Sequence, residues 1–262
     1  MFDHRPTVYD VQQLRGVRQL TQVHVNSVEE AAACGEAGID IVGTDVDADV
    51  AAIAAAAPHT FIQCGLAPVA AASATDAIRT AFGALDLGAS AIYSSASLGV
   101  VEAMAAEGIP VVGHIGLVPY RATWTNYRAI GKTAGEAKQL FVELKALEDV
   151  GAFGVEIEVV PAPLATELTK RTSLVTMSMG SGSGCNTQYL FSDDILGENT
   201  GDMPRHAKRY RDFAALRRQM HDEAIAAFRE YIADVDSGAF PADDHIVPID
   251  PAVIAAAFDD AS

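Results

Sequence analysis

The sequence predicts an α/β protein built as a single parallel (β/α)8 barrel with additional C-terminal helices. Three observations carry this prediction. From residue 20 to about residue 194, short β-branched or apolar runs alternate with longer amphipathic, alanine-rich ones, which is typical of parallel strands joined by crossover helices. The short runs number eight, the strand number of a small closed barrel. The chain has 262 residues, and such a barrel needs about 250.

The elements follow in order along the chain. The predicted strands are 20–25, 40–45, 60–65, 90–95, 110–115, 154–160, 174–179 and 188–193. Between them, Ser27 and Glu30 predict a capping box at the start of a helix. Two further helices are expected to end at Gly88 and Gly151, since glycine adopts the left-handed conformation that closes a helix. The barrel should cover about residues 20–197, and we treat residues 1–262 as one domain.

The pattern changes after Gly197. Residues 198–211 are polar, and FAALRRQMHDEAIAAFREYIADVDSG predicts one or two long helices. The tail beyond Phe240 is either a docked arm or a subunit contact, and we expect a homo-oligomer. Its aspartates are Asp243, Asp244, Asp259 and Asp260.

Composition excludes several classes of protein. A net charge of −17 argues against nucleic acid or an anionic membrane as a partner, because both attract cationic surfaces. No apolar run reaches the roughly 18 residues that span a bilayer, and the polar start does not resemble a secretory signal. We therefore expect a cytoplasmic protein that acts on a small molecule. Cys34, Cys64 and Cys185 are odd in number and far apart, which favours buried thiols over disulfides or zinc.

His114 is the first candidate for chemistry. It follows the apolar run Pro110–Val112 and Gly113, which we expect to let the backbone turn. Active sites of alternating β/α chains gather where strands end, and an imidazole titrates near neutral pH. The alternative is a histidine that is hydrogen-bonded to neighbouring backbone.

Glu156 and Glu158 are two residues apart on a predicted strand, so their side chains share one face. Glu158 is the better candidate, because Pro161 ends the strand close to it. A carboxylate in a partly dry barrel mouth suits removal of a proton next to a carbonyl. The alternative is that both glutamates face outwards and pair with Lys or Arg.

Two loops are candidates for ligand binding. GSGSGC at 180–185, with Ser181 and Ser183, is rich in small residues that let backbone N–H groups approach an anion; the alternative is a flexible turn. Asp45, Asp47 and Asp49 alternate after the second strand and could bind a hard cation such as Mg²⁺; the alternative is a set of solvated carboxylates. His24, Cys64, Tyr93 and Ser95 could line the same mouth; the alternative for each is simple packing or capping.

Four segments in order resemble one known family. GHIGLVP, YRAIGK, IEVVP and MSMGSGSGCNTQ followed by DDILG are similar to the GHxGLTP, YxxQGR, LExVP and IGIGAGxxxDGQ…HDxxG segments of the ketopantoate hydroxymethyltransferases. That family belongs with phosphoenolpyruvate mutase and isocitrate lyase among the β/α barrels. The resemblance implies a TIM barrel, with His114 as a substrate-site histidine and Glu158 as the base.

The N-terminal half departs from the family, whose members hold Mg²⁺ through aspartates on the second and third strands and carry a lysine and a glutamate on the fourth. By this resemblance, Gly65 replaces the second aspartate, and Tyr93 and Ser95 replace the lysine and the glutamate. Asp45 is a weak candidate for the first. Mg²⁺ is therefore doubtful, and Tyr93 and Ser95 could supply neutral donors to an oxyanion instead.

The resemblance implies a divergent, hydroxymethyltransferase-like enzyme acting on a small carbonyl or carboxylate compound. Thr44, Asp45, Tyr93 and Ser95 would bind the substrate, with Ser181 and Ser183 at its anionic end. A tetrahydrofolate is the expected one-carbon donor. The alternatives are a C–C lyase or hydrolase acting on a small oxo acid, and a catalytically silent binding or assembly protein.

Overall fold

A computed structural model describes residues 3–201 and 203–258. Eight strands close into a barrel in chain order, each parallel to its neighbours, and the last pairs with the first. They are β1 Leu20–His24, β2 Ile41–Asp45, β3 Phe61–Gly65, β4 Ala91–Tyr93, β5 Val111–Gly116, β6 Gly154–Glu158, β7 Val175–Met179 and β8 Thr187–Phe191. The predicted (β/α)8 barrel with C-terminal helices is confirmed.

Helices lie between most of the strands. They are α1 Val8–Gln13, α2 Val28–Ala37, α3 Val50–Ala56, α4 Ala74–Asp86, α5 Leu98–Ala106, α6 Ala134–Asp149, α7 Ala162–Thr169, α8 Ser192–Leu196, α9 Phe213–Ser237 and α10 Pro251–Phe258. Short 3-10 segments lie at Pro68–Ala71, Pro119–Thr125 and Asp243–His245. The eighth predicted strand is too long at its end, since Ser192 and Asp193 begin α8.

The caps explain where α2 begins and ends. The Ser27 side chain accepts from the backbone N–H of Glu30, as a capping box requires. The Glu30 carboxylate does not return the bond to Ser27 but accepts from Asn26 N–H instead. Gly38, with φ of 83°, closes the helix.

Two apolar cores lie on the two faces of the strands. The outer core joins the strands to the surrounding helices through residues such as Val42, Ile62 and Ile157. The inner core fills the amino end of the barrel, where Val11 of α1 packs with residues that begin the strands. The other members of this inner core are Leu20, Ile41, Phe61, Ala91, Val112, Phe153, Val175 and Met177. Polar side chains are left to the carboxyl end.

The chain divides into two compact units, one ending at Arg211 and one beginning at Asp212. The polar segment 198–211 thus groups with the barrel. The second unit contains α9, a single helix of 25 residues with none of them buried, and α10. The prediction of one domain over residues 1–262 stays a prediction.

Asp243 and Asp244 lie exposed in the last 3-10 segment, whereas Asp259 and Asp260 lie outside the described residues. The predicted docked arm or subunit contact, and with it the homo-oligomer, stays a prediction. All three cysteines are free thiols; Cys64 and Cys185 are buried and Cys34 is half-buried. Among the described helices, none is both long and apolar enough to cross a membrane.

Candidate active site

A cavity of about 300 Å³ opens at the carboxyl end of the barrel, above the inner core. Its lining comes from all eight strands and from Pro119 in the loop after β5. The lining residues are His24, Thr44, Asp45, Gln63, Gly65, Tyr93, His114, Pro119, Glu156, Glu158, Met179, Tyr189 and Phe191. The barrel mouth is where side chains from separate strand ends meet.

His114 and Glu158 face each other in this cavity from adjacent strands. The imidazole is 1% exposed, and its Nε2 lies 3.3 Å from Glu158 Oε2. The Glu158 side chain is 17% exposed, so it reaches the solvent side of the cavity. Although the distance is that of an ion pair, Nε2 has no hydrogen-bond partner of suitable geometry in the described protein. It is a buried polar atom free to contact a ligand.

The other ring nitrogen of His114 is engaged. The Tyr93 phenol oxygen lies 2.6 Å from Nδ1. Burial raises the pKa of Tyr93 well above its ordinary value, and the nearby carboxylates act in the same direction. The phenol therefore keeps its proton. We assign it as the donor to Nδ1, because the imidazole proton of neutral His114 then lies on Nε2 and faces the Glu158 carboxylate.

Glu156 lies two residues before Glu158 on β6, and its side chain faces the same cavity. It is buried, and Gln63 Nε2 donates to its Oε1 at 2.9 Å. Burial raises the pKa of Glu156 to about 8, assisted by the charge of Glu158 and opposed by the Gln63 hydrogen bond. The outward-facing alternative is therefore wrong, and Glu156 is largely protonated at neutral pH.

The opposite wall is formed by β1, β2 and β8. His24 Nε2 lies 3.7 Å from Asp45 Oδ2, and His24 Nδ1 lies 3.3 Å from the Tyr189 phenol. Burial lowers the pKa of His24 despite the opposing effect of Asp45. Thr44 also lines the cavity, but strand alternation turns its side chain to the outer face with Val42. Its backbone is therefore the part at the cavity.

Ser95 lies beside the cavity rather than in it. Its hydroxyl donates to the phenol of Tyr120, and both residues line an adjoining hollow of about 290 Å³ at the mouth. Asp45, Gly65, Tyr93 and Pro119 border both spaces. Cys64 belongs to the outer core and does not reach either of them.

The three alternating aspartates do not form one site. Asp45 is 61% exposed at its side chain, Asp47 lines only the adjoining hollow, and the Asp49 carboxylate caps α3 through Ala52 N–H. Across the strand from Asp45 is Gly65, where a Cβ would lie 3.0 Å from Asp45 Oδ1. Within the described residues, no group of three or more His, Cys, Asp or Glu is arranged to hold a metal ion. Asp45 therefore has no second carboxylate facing it across β3, a sparse donor set for Mg²⁺, which prefers several oxygen ligands in octahedral geometry.

The GSGSGC loop does not reach the cavity. The Ser181 hydroxyl is buried, donates to Ile157 O and accepts from Val160 N–H. Ser183 is exposed, and its carbonyl accepts from Gln19, which precedes β1 at the amino end of the barrel. The loop therefore runs back along the outside of the barrel between β7 and β8. The geometry gives no support to the anion-binding role predicted for Ser181 and Ser183.

The ends of β5 and β6, the strands that carry His114 and Glu158, are flanked by residues with positive φ. Gly116 at the end of β5 has a φ of 94°, and a Cβ there would lie 2.3 Å from Glu158 O. Val159, directly after Glu158, has a φ of 50°, which is rare for a β-branched residue. Gly113 does not make the expected turn; it leaves room for Leu147 of α6, which a Cβ would approach to 2.6 Å.

Sequence reasoning did not single out Gln63, Tyr189 or Phe191, although all three line the cavity. Strand alternation is the signal that could have found them. Gln63 is two residues before Gly65 on β3, and Tyr189 and Phe191 occupy alternate positions on β8. Their inward face follows from the position of the apolar outer residues between them.

Comparison with known proteins adds to the motif resemblance. A sequence model described as ketopantoate hydroxymethyltransferase matches residues 10–243. The 3-methyl-2-oxobutanoate hydroxymethyltransferase of Pyrobaculum calidifontis is 32% identical over 273 residues, covering 95% of this chain and 100% of that protein. The protein of the same name from Chloroflexus aurantiacus is 39% identical over 150 residues, covering 57% of this chain and 51% of that protein. The match thus spans about half the length of that more similar relative.

Two solved structures share the barrel. That of 2,3-dimethylmalate lyase, described as a PEP mutase/isocitrate lyase superfamily member, has a TM-score of 0.50 at 14% identity and covers 93% of this chain and 92% of that one. That of phosphonopyruvate hydrolase, in complex with oxalate and Mg²⁺, has a TM-score of 0.50 at 13% identity and covers 98% and 96%. At these identities the likeness concerns the fold alone. The comparisons give no support to the predicted tetrahydrofolate donor.

The four ordered motifs, the barrel and the sequence comparisons agree. The motif residues His114 and Glu158 meet in one cavity, as the resemblance implies. The match extends well beyond half of the chain. The chain belongs to the ketopantoate hydroxymethyltransferase family.

Proposed function

We propose that this protein makes or breaks a C–C bond next to the carbonyl group of a small compound, as a hydroxymethyltransferase-like enzyme. The observation that carries the proposal is the pair formed by His114 Nε2 and Glu158 Oε2, 3.3 Å apart in the cavity at the barrel mouth. A carboxylate beside a free N–H donor provides both groups needed to form an enolate: a base and a polarising partner.

His114 would act as a neutral electrophile. Because Tyr93 occupies Nδ1, the Nε2 proton is available to a substrate carbonyl oxygen. A neutral imidazole that polarises a carbonyl beside a carboxylate base is an established arrangement in barrel enzymes. Tyr93 is a positioning residue in this scheme, since it contacts the imidazole and holds its tautomer.

Glu158 would move the proton. Its carboxylate removes the proton from the carbon next to the carbonyl, and the electrons of that C–H bond form the enolate. The enolate carbon then attacks a one-carbon unit at the oxidation level of formaldehyde, and the new alkoxide takes the proton back from Glu158. Atoms and charge balance over the cycle. Run in reverse, the same steps cleave a C–C bond, so the lyase alternative would use the same two residues.

Neutral groups would stabilise the enolate in place of a divalent cation. The sparse donor set around Asp45 supports this proposal, and protonated Glu156 adds no negative charge beneath the reacting centre. An N–H donor in a water-poor cavity stabilises a developing oxyanion more strongly than the same donor does in water. His114 Nε2–H fulfils this condition.

Solvent exchange tests the base. In D2O, the protein should exchange the α-proton of small ketones or oxo acids, measured by ¹H NMR. We expect Glu158→Gln to lower the exchange rate about 100-fold or more, and His114→Asn to lower it about 10- to 100-fold. Glu102→Gln, at an exposed position on α5, is the matched control and should leave the rate unchanged. Full exchange by Glu158→Gln would rule out Glu158 as the base.

A further inference from the structure

The lining of the cavity contains acidic side chains but no Lys or Arg. Of its thirteen lining residues, none is Lys or Arg, while three are Asp or Glu. The adjoining hollow also lacks Lys and Arg and adds Asp47. A substrate carboxylate bound here would lie near the carboxylates of Asp45 and Glu158, with no guanidinium or ammonium group in the lining to pair with it. Repulsion between like charges inside one cavity opposes binding.

The chain does carry a concentration of cations near the end of the barrel unit, but they point elsewhere. In RHAKRYR at 205–211, the Lys208 ammonium lies over the Tyr210 ring, and Arg209 and Arg211 donate to backbone carbonyls. Arg205 is exposed. None of these four lines the cavity. They do not compensate its negative charge.

Backbone donors do not supply an anion site either. The small-residue loop that could have formed one runs along the outside of the barrel, and its hydroxyl at Ser181 is committed to Ile157 and Val160. Nests of successive N–H groups are the usual substitute for cationic side chains in anion binding. The described lining includes no part of that loop.

What the cavity offers instead suits an uncharged ligand. Two buried polar atoms lack partners there: His114 Nε2, a donor in the assigned tautomer, and Gln63 Oε1, an acceptor. Met179, Phe191 and Pro119 provide apolar surface. A carbonyl group would satisfy the donor, and a short branched alkyl chain would cover the apolar wall within about 300 Å³.

We infer that this site selects a small uncharged carbonyl compound, a ketone or an ester of an oxo acid, over the oxo acid anion itself. The inference rests on the proposed function, because it concerns the substrate of the same His114 and Glu158 pair. It names a substrate class defined by the absence of a free carboxylate. The selectivity comes from the charges of Asp45 and Glu158 and from the lack of Lys and Arg among the lining residues.

A matched set of probes tests the inference on the 262-residue chain. The probes are 3-methylbutan-2-one, 3-methyl-2-oxobutanoate and the methyl ester of that oxo acid, which share one branched skeleton and differ in charge. Dissociation constants come from ligand-observed NMR titrations at pH 7. We expect the neutral probes to bind at least about tenfold more tightly than the anion. Equal or tighter binding of the anion, or no binding of either neutral probe, would overturn the inference.

Charge variants show whether the cavity sets this preference. Asp45→Asn is isosteric at an exposed position. It should tighten binding of the anion several-fold and leave the dissociation constant of the ketone unchanged. Met179→Lys places a cation beside Glu158 and should reverse the preference, whereas Met179→Gln, its control, should not. An unchanged ratio in both charge variants would overturn the inference.

Deuterium exchange on the same probes separates the two proposals. If the neutral probes bind preferentially but no probe exchanges its α-proton, the proposed base chemistry fails and the substrate class stands. If the anion binds and exchanges preferentially, the substrate class fails and the base chemistry stands.

Discussion

Glu156 shows how a single buried carboxyl couples the site to pH. Its pKa of about 8 arises mainly from burial beneath the cavity, while the unfolded chain releases the same proton near pH 4.5. Between these values the folded state retains a proton that the unfolded state has lost. Folding stability contributed by this group is therefore fully present below about pH 4.5 and is lost as pH rises towards 8.

Glu156→Gln should remove this dependence. The amide keeps an acceptor for Gln63 Nε2 and carries no titrating proton. We expect the folding equilibrium constant of the variant, divided by that of the native chain, to rise by up to about tenfold per pH unit between pH 5 and 8. Urea titrations at several pH values measure the difference. If the free energy of unfolding depends on pH in the same way for both proteins, Glu156 is not buried as a neutral acid.

Asp45 is the residue on which any cation would depend. Because it stands alone on an exposed strand end opposite Gly65, we expect Mg²⁺ up to millimolar concentrations to leave the melting temperature unchanged. A cation bound only by the folded state would raise it. Asp45→Asn should melt like the native chain with and without Mg²⁺. A stoichiometric Mg²⁺-dependent rise that this variant abolishes would show that Asp45 does hold the metal.

At the scale of elements, the ends of β5 and β6 decide whether the pair meets. Gly116→Ala would place a Cβ 2.3 Å from Glu158 O at a φ of 94°. We expect this change to cost on the order of 3 kcal/mol of stability and to lower α-proton exchange by shifting Glu158. Thermal unfolding and the NMR exchange assay measure the two effects.

The matched control is Gly99→Ala in α5, where a Cβ would meet nothing within 4 Å. It should leave exchange unchanged and stabilise the helix by about 0.5–1 kcal/mol. An equal effect of both substitutions would contradict a specific role for the close contact between Gly116 and Glu158.

The elements also show how far sequence patterns reach. Strand positions were predictable to within a few residues, because β-branched runs such as 40–45 and 110–115 are local signals. His114 and Glu158 were predictable because each belongs to a motif at a strand end. For Gln63, Tyr189 and Phe191, strand alternation gives only the face of the strand; their meeting in one cavity depends on barrel closure, which pairs β8 with β1. The role predicted for Ser181 stays a prediction without geometric support, because the composition of a loop does not determine its direction.

At the scale of the whole molecule, the compact unit that contains the barrel ends at Arg211, and the second unit begins at Asp212. The change in pattern at Gly197 suggested that the barrel ends there, but the compact unit continues to Arg211. The connection is made by hydrogen bonds, such as Tyr210 N–H and Arg211 N–H to Ile195 O. Backbone pairing of this kind leaves no trace in hydropathy.

Limited proteolysis tests this boundary. Arg205, Lys208, Arg209 and Arg211 are exposed just before the second unit begins, and exposed segments between compact units are cleaved first. We expect trypsin to cut within 205–211 before it cuts elsewhere, with mass spectrometry identifying the products. Early cleavage within the strands or α2–α7 would contradict the division at Arg211.

The apolar plug at the amino end of the barrel has a kinetic consequence. Since Val11 and the inner core close that end, the mouth is the route by which reactants reach His114 and Glu158. We expect a carbonyl compound seated against that pair to lie deeper than the one-carbon donor that follows it. The proposed function therefore predicts ordered binding, with the carbonyl compound first and with inhibition by a donor that binds too early.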